Sequence, residues 1–244
     1  MAGTRHILAF DIYGTLLDTS AIAGVVSSVL SISVDEAASV ALLWRRYQLE
    51  YTWRLNSMGL YEPFDIVTRN ALHHALAEKK HDADERIVTT LMAAYDRLFT
   101  FNDAQPTLEA LAGVSDVDLM VFSNGTHAMV STALQAASLA FAPPKLFLAD
   151  SVQVYKPATK IYEALLQHIN ANLVTADQEK LTRDRVWLVS GNPFDVIGAR
   201  NYGMQAIWVD RAGSGWVDRA VPTLGPTTIV KSLDEIPAFM KGRV

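Results

Sequence analysis

Four short polar clusters in this sequence carry the residue types that chemistry needs. The first is Phe10-Asp11-Ile12-Tyr13-Gly14-Thr15-Leu16-Leu17-Asp18, the second Ser123-Asn124-Gly125-Thr126, the third Tyr155-Lys156-Pro157, and the fourth Ser190-Gly191-Asn192-Pro193-Phe194-Asp195. Together they offer carboxylates fit for nucleophilic or acid–base work, an ammonium group, and hydroxyl and amide donors suited to a developing negative charge. Singly, each has an ordinary explanation: an Asp after a strand caps a turn or a helix, a Lys is solvated, and Pro193 opens a helix where no N–H is needed. Their order, and their placement beyond strands, make the set specific.

Those clusters need a scaffold that converges them. Apolar runs at His6 to Phe10, Asp118 to Phe122 and Arg185 to Val189 end abruptly in Asp11, Ser123 and Ser190, and read as buried strands. Lys145 to Ala149 and Gln205 to Val209 are two more candidates, and helical patterns such as Lys156 to Asn170 lie between strands. The alternation predicts an α/β fold with a Rossmann-like parallel sheet core, in which ligand sites form beyond the carboxyl ends of strands.

Between the first and second strands the periodicity is helical almost throughout. Ser33 and Glu36 have capping-box spacing, and Leu42, Arg45, Leu49 and Trp53 fall close to one face of the long helix that follows. Further helices fit Pro63 to Ala77 and Asp84 to Leu98, the latter with Ile87, Leu91 and Tyr95 at four-residue spacing. The expected organisation is a catalytic core of residues 1–18 and 102–244, with an inserted helical cap, 19–101, seated over the strand-end carboxylate.

Composition excludes several classes. A chain of 244 residues that is 50% hydrophobic can bury a sizeable core. Its net charge of −5 lacks the basic excess that neutralising phosphates requires, so nucleic acid is not an expected partner. There is no cysteine, hence no disulfide, thiol nucleophile or Cys-based metal site. The uncharged run from Thr19 to Val34 is Ser-rich and too short to span a membrane, so no membrane partner is expected and the cytoplasm is the default location. His73 and His74 are adjacent on a helix, point in different directions and form no metal site.

The four clusters in this order resemble the haloacid dehalogenase superfamily, and the likeness covers nearly the whole chain. Most of that superfamily are Mg-dependent phosphatases, which protonate an alkoxide leaving group with an Asp two residues after the nucleophile and hold Mg²⁺ with an acidic residue in the fourth motif. Tyr13 and Asn192 stand at those places. A halide leaves as a stable anion, so both losses fit dehalogenation. Asp-x-Tyr-Gly-Thr-Leu-x-Asp at 11–18, Ser-Asn-Gly at 123–125, Val-Tyr-Lys-Pro at 154–157, Asn-x-x-Asp at 192–195 and the stretch from Leu43 to Trp53 are similar to the (S)-2-haloacid branch.

What the resemblance implies is a cofactor-free, metal-free hydrolase of small 2-haloacids, assembled as a homodimer. Asp11 would displace halide from C2 with inversion, and water would then cleave the resulting ester. Lys156 places positive charge beside Asp11. Arg45 and Asn124 would face the halogen. Thr15 and Ser123 either donate to Asp11 and the substrate carboxylate or cap helices. Asp195, supported by Asn192 and Lys156, would activate the hydrolytic water. Ser190 matches a site-lining hydroxyl, and Tyr162 is either a polar site residue or a core aromatic. Ile12, Tyr13, Leu49, Phe64 and Phe194 would form the substrate walls. Phe194 replaces the family's usual Trp, Arg46 its usual Gln and Gly191 a common Ser, which bears on pocket size. A Mg-dependent phosphatase and a non-catalytic relative are the competing readings.

Overall fold

The computed structural model describes residues 5–141, 145–176 and 178–243. The expected core segments extend over 1–4, 142–144, 177 and 244, which lie outside the described residues. The strands are β1 (His6–Phe10), β2 (Val117–Ser123), β3 (Leu146–Leu148), β4 (Val186–Ser190), β5 (Gln205–Val209) and β6 (Thr228–Val230). They form one sheet in the order β3-β2-β1-β4-β5-β6, every adjacent pair parallel. Strand β1 is buried at every position, as its uninterrupted apolar run requires. Each such fully buried Leu or Ile contributes about 1.5–3 kcal/mol. The sequence pattern missed β6, which is three residues long.

The strand order reverses direction on either side of β1, so the crevice at its carboxyl end, beside β4, is where this topology leaves room for a ligand. Phe10 pairs with Val121 on one side and Val189 on the other. That register brings the ends of β1, β2 and β4, and with them Asp11, Ser123 and Ser190, to one rim.

Between β1 and β2 run α1 (Ile22–Leu30), α2 (Val34–Met58), α3 (Phe64–Glu78), α4 (Glu85–Tyr95) and α5 (Ala104–Ala112). Helices α1 to α4 pack on one another, whereas α5 packs on β2. Ser33 caps α2 by accepting from the Glu36 N–H, and Gly59 ends it in the left-handed region at φ 68°. The buried face of α2 carries Val40, Trp44, Tyr47 and Gln48, while Leu42 is 74% and Trp53 40% exposed. The face marked in the sequence by Leu42, Arg45, Leu49 and Trp53 is therefore not the packed one. Its middle, at Arg45, is turned to the strand ends.

After the sheet begins come α6 (His127–Ala136), α7 (Thr159–Asn172), α8 (Pro193–Tyr202) and α9 (Ile236–Lys241). Helix α8 packs against β4, β5 and α7, which locks the fourth cluster to the third. Among the described residues, no helix is long and apolar enough to cross a membrane.

Candidate active site

Asp11 follows directly on β1, its N–H still donating to the Val189 carbonyl at 3.0 Å. The chain then turns sharply: the Ile12 carbonyl accepts from the N–H groups of Thr15, Leu16 and Leu17, and Gly14 takes φ 85°. This turn folds Thr15 back onto the carboxylate, where its hydroxyl donates to Asp11 Oδ2 at 2.9 Å. The same hydroxyl accepts from the Gly191 N–H at 2.9 Å, so Thr15 joins two loops instead of capping a helix. Asn192 Nδ2 donates to Asp11 Oδ2 at 2.8 Å and to the Tyr13 carbonyl at 2.9 Å. The loops approach so closely that a side chain at Gly191 would collide with the Gly14 carbonyl.

Lys156 is 1% exposed, and its ammonium is fully engaged. It donates to Asp11 Oδ1 at 3.2 Å, to Asp195 Oδ2 at 2.7 Å and to the Phe122 carbonyl at 2.7 Å. Its backbone N–H donates to Asn124 Oδ1 at 3.0 Å, which ties the second cluster to the third. Tyr162 lies wholly inside, its hydroxyl donating to Asp195 Oδ1 at 2.7 Å. It is buried as a core aromatic is, and its hydroxyl holds Asp195. Burial pushes the Asp195 carboxyl up to about 6; Lys156 opposes that shift and the nearby Asp11 charge adds to it. Both Asp195 oxygens already accept a bond, so any part in activating water rests on the lone pairs these bonds leave.

Ser123 and Ser190 end adjacent-to-central strands and do the same local work. Ser123 Oγ accepts from the Gly125 N–H at 3.1 Å, and Ser190 Oγ accepts from the Asn192 N–H at 3.0 Å. Each shapes the loop that presents an asparagine. The cap of α6 is Thr126, not Ser123.

From above, α2 contributes Arg45. Its guanidinium donates to Gln48 Oε1 at 2.6 Å, to the Tyr13 carbonyl at 3.1 Å and to Asn192 Oδ1 at 3.2 Å. Arg46 points outward to the Tyr47 hydroxyl and Glu78, in the solvated role its neighbour escapes. Tyr13 stacks on Tyr95 with ring centres 5.6 Å apart and meets Phe64 at 6.0 Å, giving the site an apolar side. Burial holds the Tyr13 phenol well above its usual pKa, so it stays neutral. Phe194 meets Trp53 edge-on at 5.5 Å. Leu49 lies one turn beyond Arg45, half-buried, placed by helix register alone.

The fold thus gathers Asp11, Thr15, Arg45, Asn124, Lys156, Tyr162, Asn192 and Asp195 into one bonded network. Sequence reasoning missed Gln48, whose amide orients Arg45, and Asn56. Asn56 pairs with Tyr155 by donating to its carbonyl at 2.7 Å and accepting from its N–H at 3.0 Å. No spacing rule signals either. Tyr95 was visible only as a helix-face aromatic, and Trp53 as that and as the end of the family-like stretch from Leu43. Among the described residues, no group of three His, Asp or Glu side chains is arranged to hold a metal ion.

A parallel α/β sheet with a strand-end carboxylate held by a buried lysine defines a class, and the chain belongs to the haloacid dehalogenase-like hydrolases, whose family model matches residues 6–203. It is 32% identical over 212 residues to the (S)-2-haloacid dehalogenase of Pseudomonas sp. (strain YL), covering 85% of this chain and 83% of that protein. It is 30% identical over 233 residues to (S)-2-haloacid dehalogenase H-109 of Pseudomonas putida, covering 96% of each. Among solved structures it resembles the L-2-haloacid dehalogenase of Xanthobacter autotrophicus with chloropropionic acid covalently bound. That likeness has a TM-score of 0.84 and 26% identity, over 99% of this chain and all 100% of the other.

Proposed function

We propose that this hydrolase cleaves the carbon–halogen bond of small (S)-2-haloacids, with Asp11 as nucleophile and helices within 19–101 as the cap over it. The observation that carries the reading is the unequal hold on the two Asp11 oxygens. Among the described residues, Oδ2 accepts from Thr15 and Asn192, while Oδ1 takes only the longer bond from Lys156. Oδ1 is the freer oxygen and attacks C2; the halide leaves with the bond electrons, beside Arg45 and Asn124. Oδ2 then becomes the ester carbonyl oxygen. Thr15 and Asn192 already donate to it, so they are positioned to stabilise the oxyanion formed when water adds to that carbonyl. Collapse of the adduct breaks the bond to Oδ1, which takes one of the water's protons and leaves as the hydroxyl of the 2-hydroxy acid; the other proton passes to solvent, and Asp11 is left as a carboxylate with one oxygen from water.

The covalent chloropropionic acid adduct of the Xanthobacter relative supports an ester route. The phosphatase reading fares worse: at the acid position Tyr13 presents a buried phenol stacked on Tyr95, and Asn192 spends its amide on Asp11 and Arg45. The test is halide release from each enantiomer of 2-chloropropionate in EDTA, beside phosphate-ester hydrolysis with and without Mg²⁺. Release from the (S) form alone, giving inverted lactate, supports the reading. Mg-dependent phosphate release without halide overturns it.

A further inference from the structure

The three acceptors that hold the Arg45 guanidinium, Gln48 Oε1, the Tyr13 carbonyl and Asn192 Oδ1, are all neutral oxygens. The shortest bond, 2.6 Å, goes to Gln48. Gln48 is fully buried on a packed helix face, an expensive place for an amide unless it is bonded. It is bonded at both ends. Its Oε1 also accepts from the Tyr95 hydroxyl at 3.0 Å, and its Nε2 donates to Thr68 Oγ1 at 2.7 Å. The Thr68 hydroxyl donates in turn to the Phe64 carbonyl at 2.6 Å. Arg45 leaves the amide one orientation, because a flip would set its NH₂ against a guanidinium that can only donate.

Resting on the dehalogenase reading, we propose that Gln48 is a positioning residue: it aims Arg45 through a neutral oxygen, so that the guanidinium charge stays uncompensated for the departing halide. A glutamate would fill the same volume and bind Arg45 more tightly through a charge-assisted bond. It would also supply the counter-charge that the halide is to bring. A cation already paired in a low-dielectric site gains less from a new anion. The relay from Phe64 through Thr68 and Gln48 thus couples the start of α3 to the aim of a residue on α2.

The test is pre-steady-state halide release by full-length Gln48→Glu, with (S)-2-chloropropionate and the bromo analogue, alongside thermal unfolding. Chloride is the poorer leaving group and depends more on the stabilising cation. The expected result is halide release slowed by about tenfold or more for the chloro acid and by clearly less for the bromo acid. Equal slowing of both, or none, overturns the proposal, since a merely structural loss does not discriminate leaving groups. Thr68→Val, which does not touch Arg45, unties the amide; it is expected to shift the bromo-to-chloro ratio in the same direction, and it decides the matter if Gln48→Glu does not fold. Wild-type enzyme that releases no halide sinks the dehalogenase reading itself. Wild-type turnover with both variants unchanged sinks only the Gln48 assignment.

Discussion

The side-chain amide of Asn192 donates from Nδ2 to Asp11 Oδ2 at 2.8 Å. Its other end accepts from Arg45, so one neutral group links Asp11, the proposed nucleophile, to Arg45, the cation proposed to face the halide. Replacing Asn192 by Asp removes the donor, adds a like charge beside Asp11 and pairs Arg45. Halide release is expected to fall by roughly 100-fold or more. Near-normal turnover in Asn192→Asp would show that this bridge is dispensable.

The pH dependence follows from Asp195. Its carboxyl must be ionised to anchor Lys156, and burial raises its pKa to about 6. The kcat/KM profile should therefore rise through an apparent pKa near 6. Stability runs the other way: an acid with a raised pKa in the folded state contributes most below its unfolded value, and that contribution is lost as pH climbs through about 6. The Tyr162 hydroxyl lowers this pKa by bonding the ionised form, so Tyr162→Phe should move the acid limb to higher pH. A limb that stays in place or moves down assigns it to another group.

Asn56 is the bond between α2 and the backbone just before Lys156. Truncating it to Ala leaves the Tyr155 N–H and carbonyl without those partners, a loss of about 1–3 kcal/mol. Urea unfolding of Asn56→Ala should show it, together with a lower kcat/KM as Lys156 loses its support. An unchanged midpoint would mean water replaces the amide fully.

Gly191 faces the Gly14 carbonyl with no room for a methyl group. Gly191→Ala must spread the two loops that carry Thr15 and Asn192, costing about 1–3 kcal/mol in overpacking. Thermal unfolding and halide release should both decline; a stable, fully active variant would show the loops to be slack.

Much of this was legible in the sequence. The strands β1 and β5 lie where their apolar runs begin and end, because a buried parallel strand leaves an uninterrupted hydrophobic signal. The clusters Asp11–Asp18 and Ser190–Asp195 were readable because strand ends in such sheets are where ligands meet loops. Direction was not legible. Nothing in the spacing says that Ser123 spends its hydroxyl on Gly125, that Tyr162 turns inward to Asp195, or that Asn56 meets Tyr155 across 99 positions. On α2 periodicity marked a face that is not the packed one, because which face is buried, and against what, is set by tertiary packing. So Gln48 reads as an intruder on an apolar stripe until Thr68 and Arg45 are seen on either side of it.

The central claim is that Asp11 Oδ1 becomes the hydroxyl oxygen of the product. A single turnover of (S)-2-chloropropionate by excess enzyme in isotopically labelled water tests it by mass spectrometry of both lactate and the Asp11 peptide. The mechanism predicts unlabelled lactate and label in the Asp11 carboxylate, because water attacks the ester carbonyl and not C2. Label in the lactate with none in Asp11 would show direct attack by water and contradict the assignment of Asp11 as nucleophile.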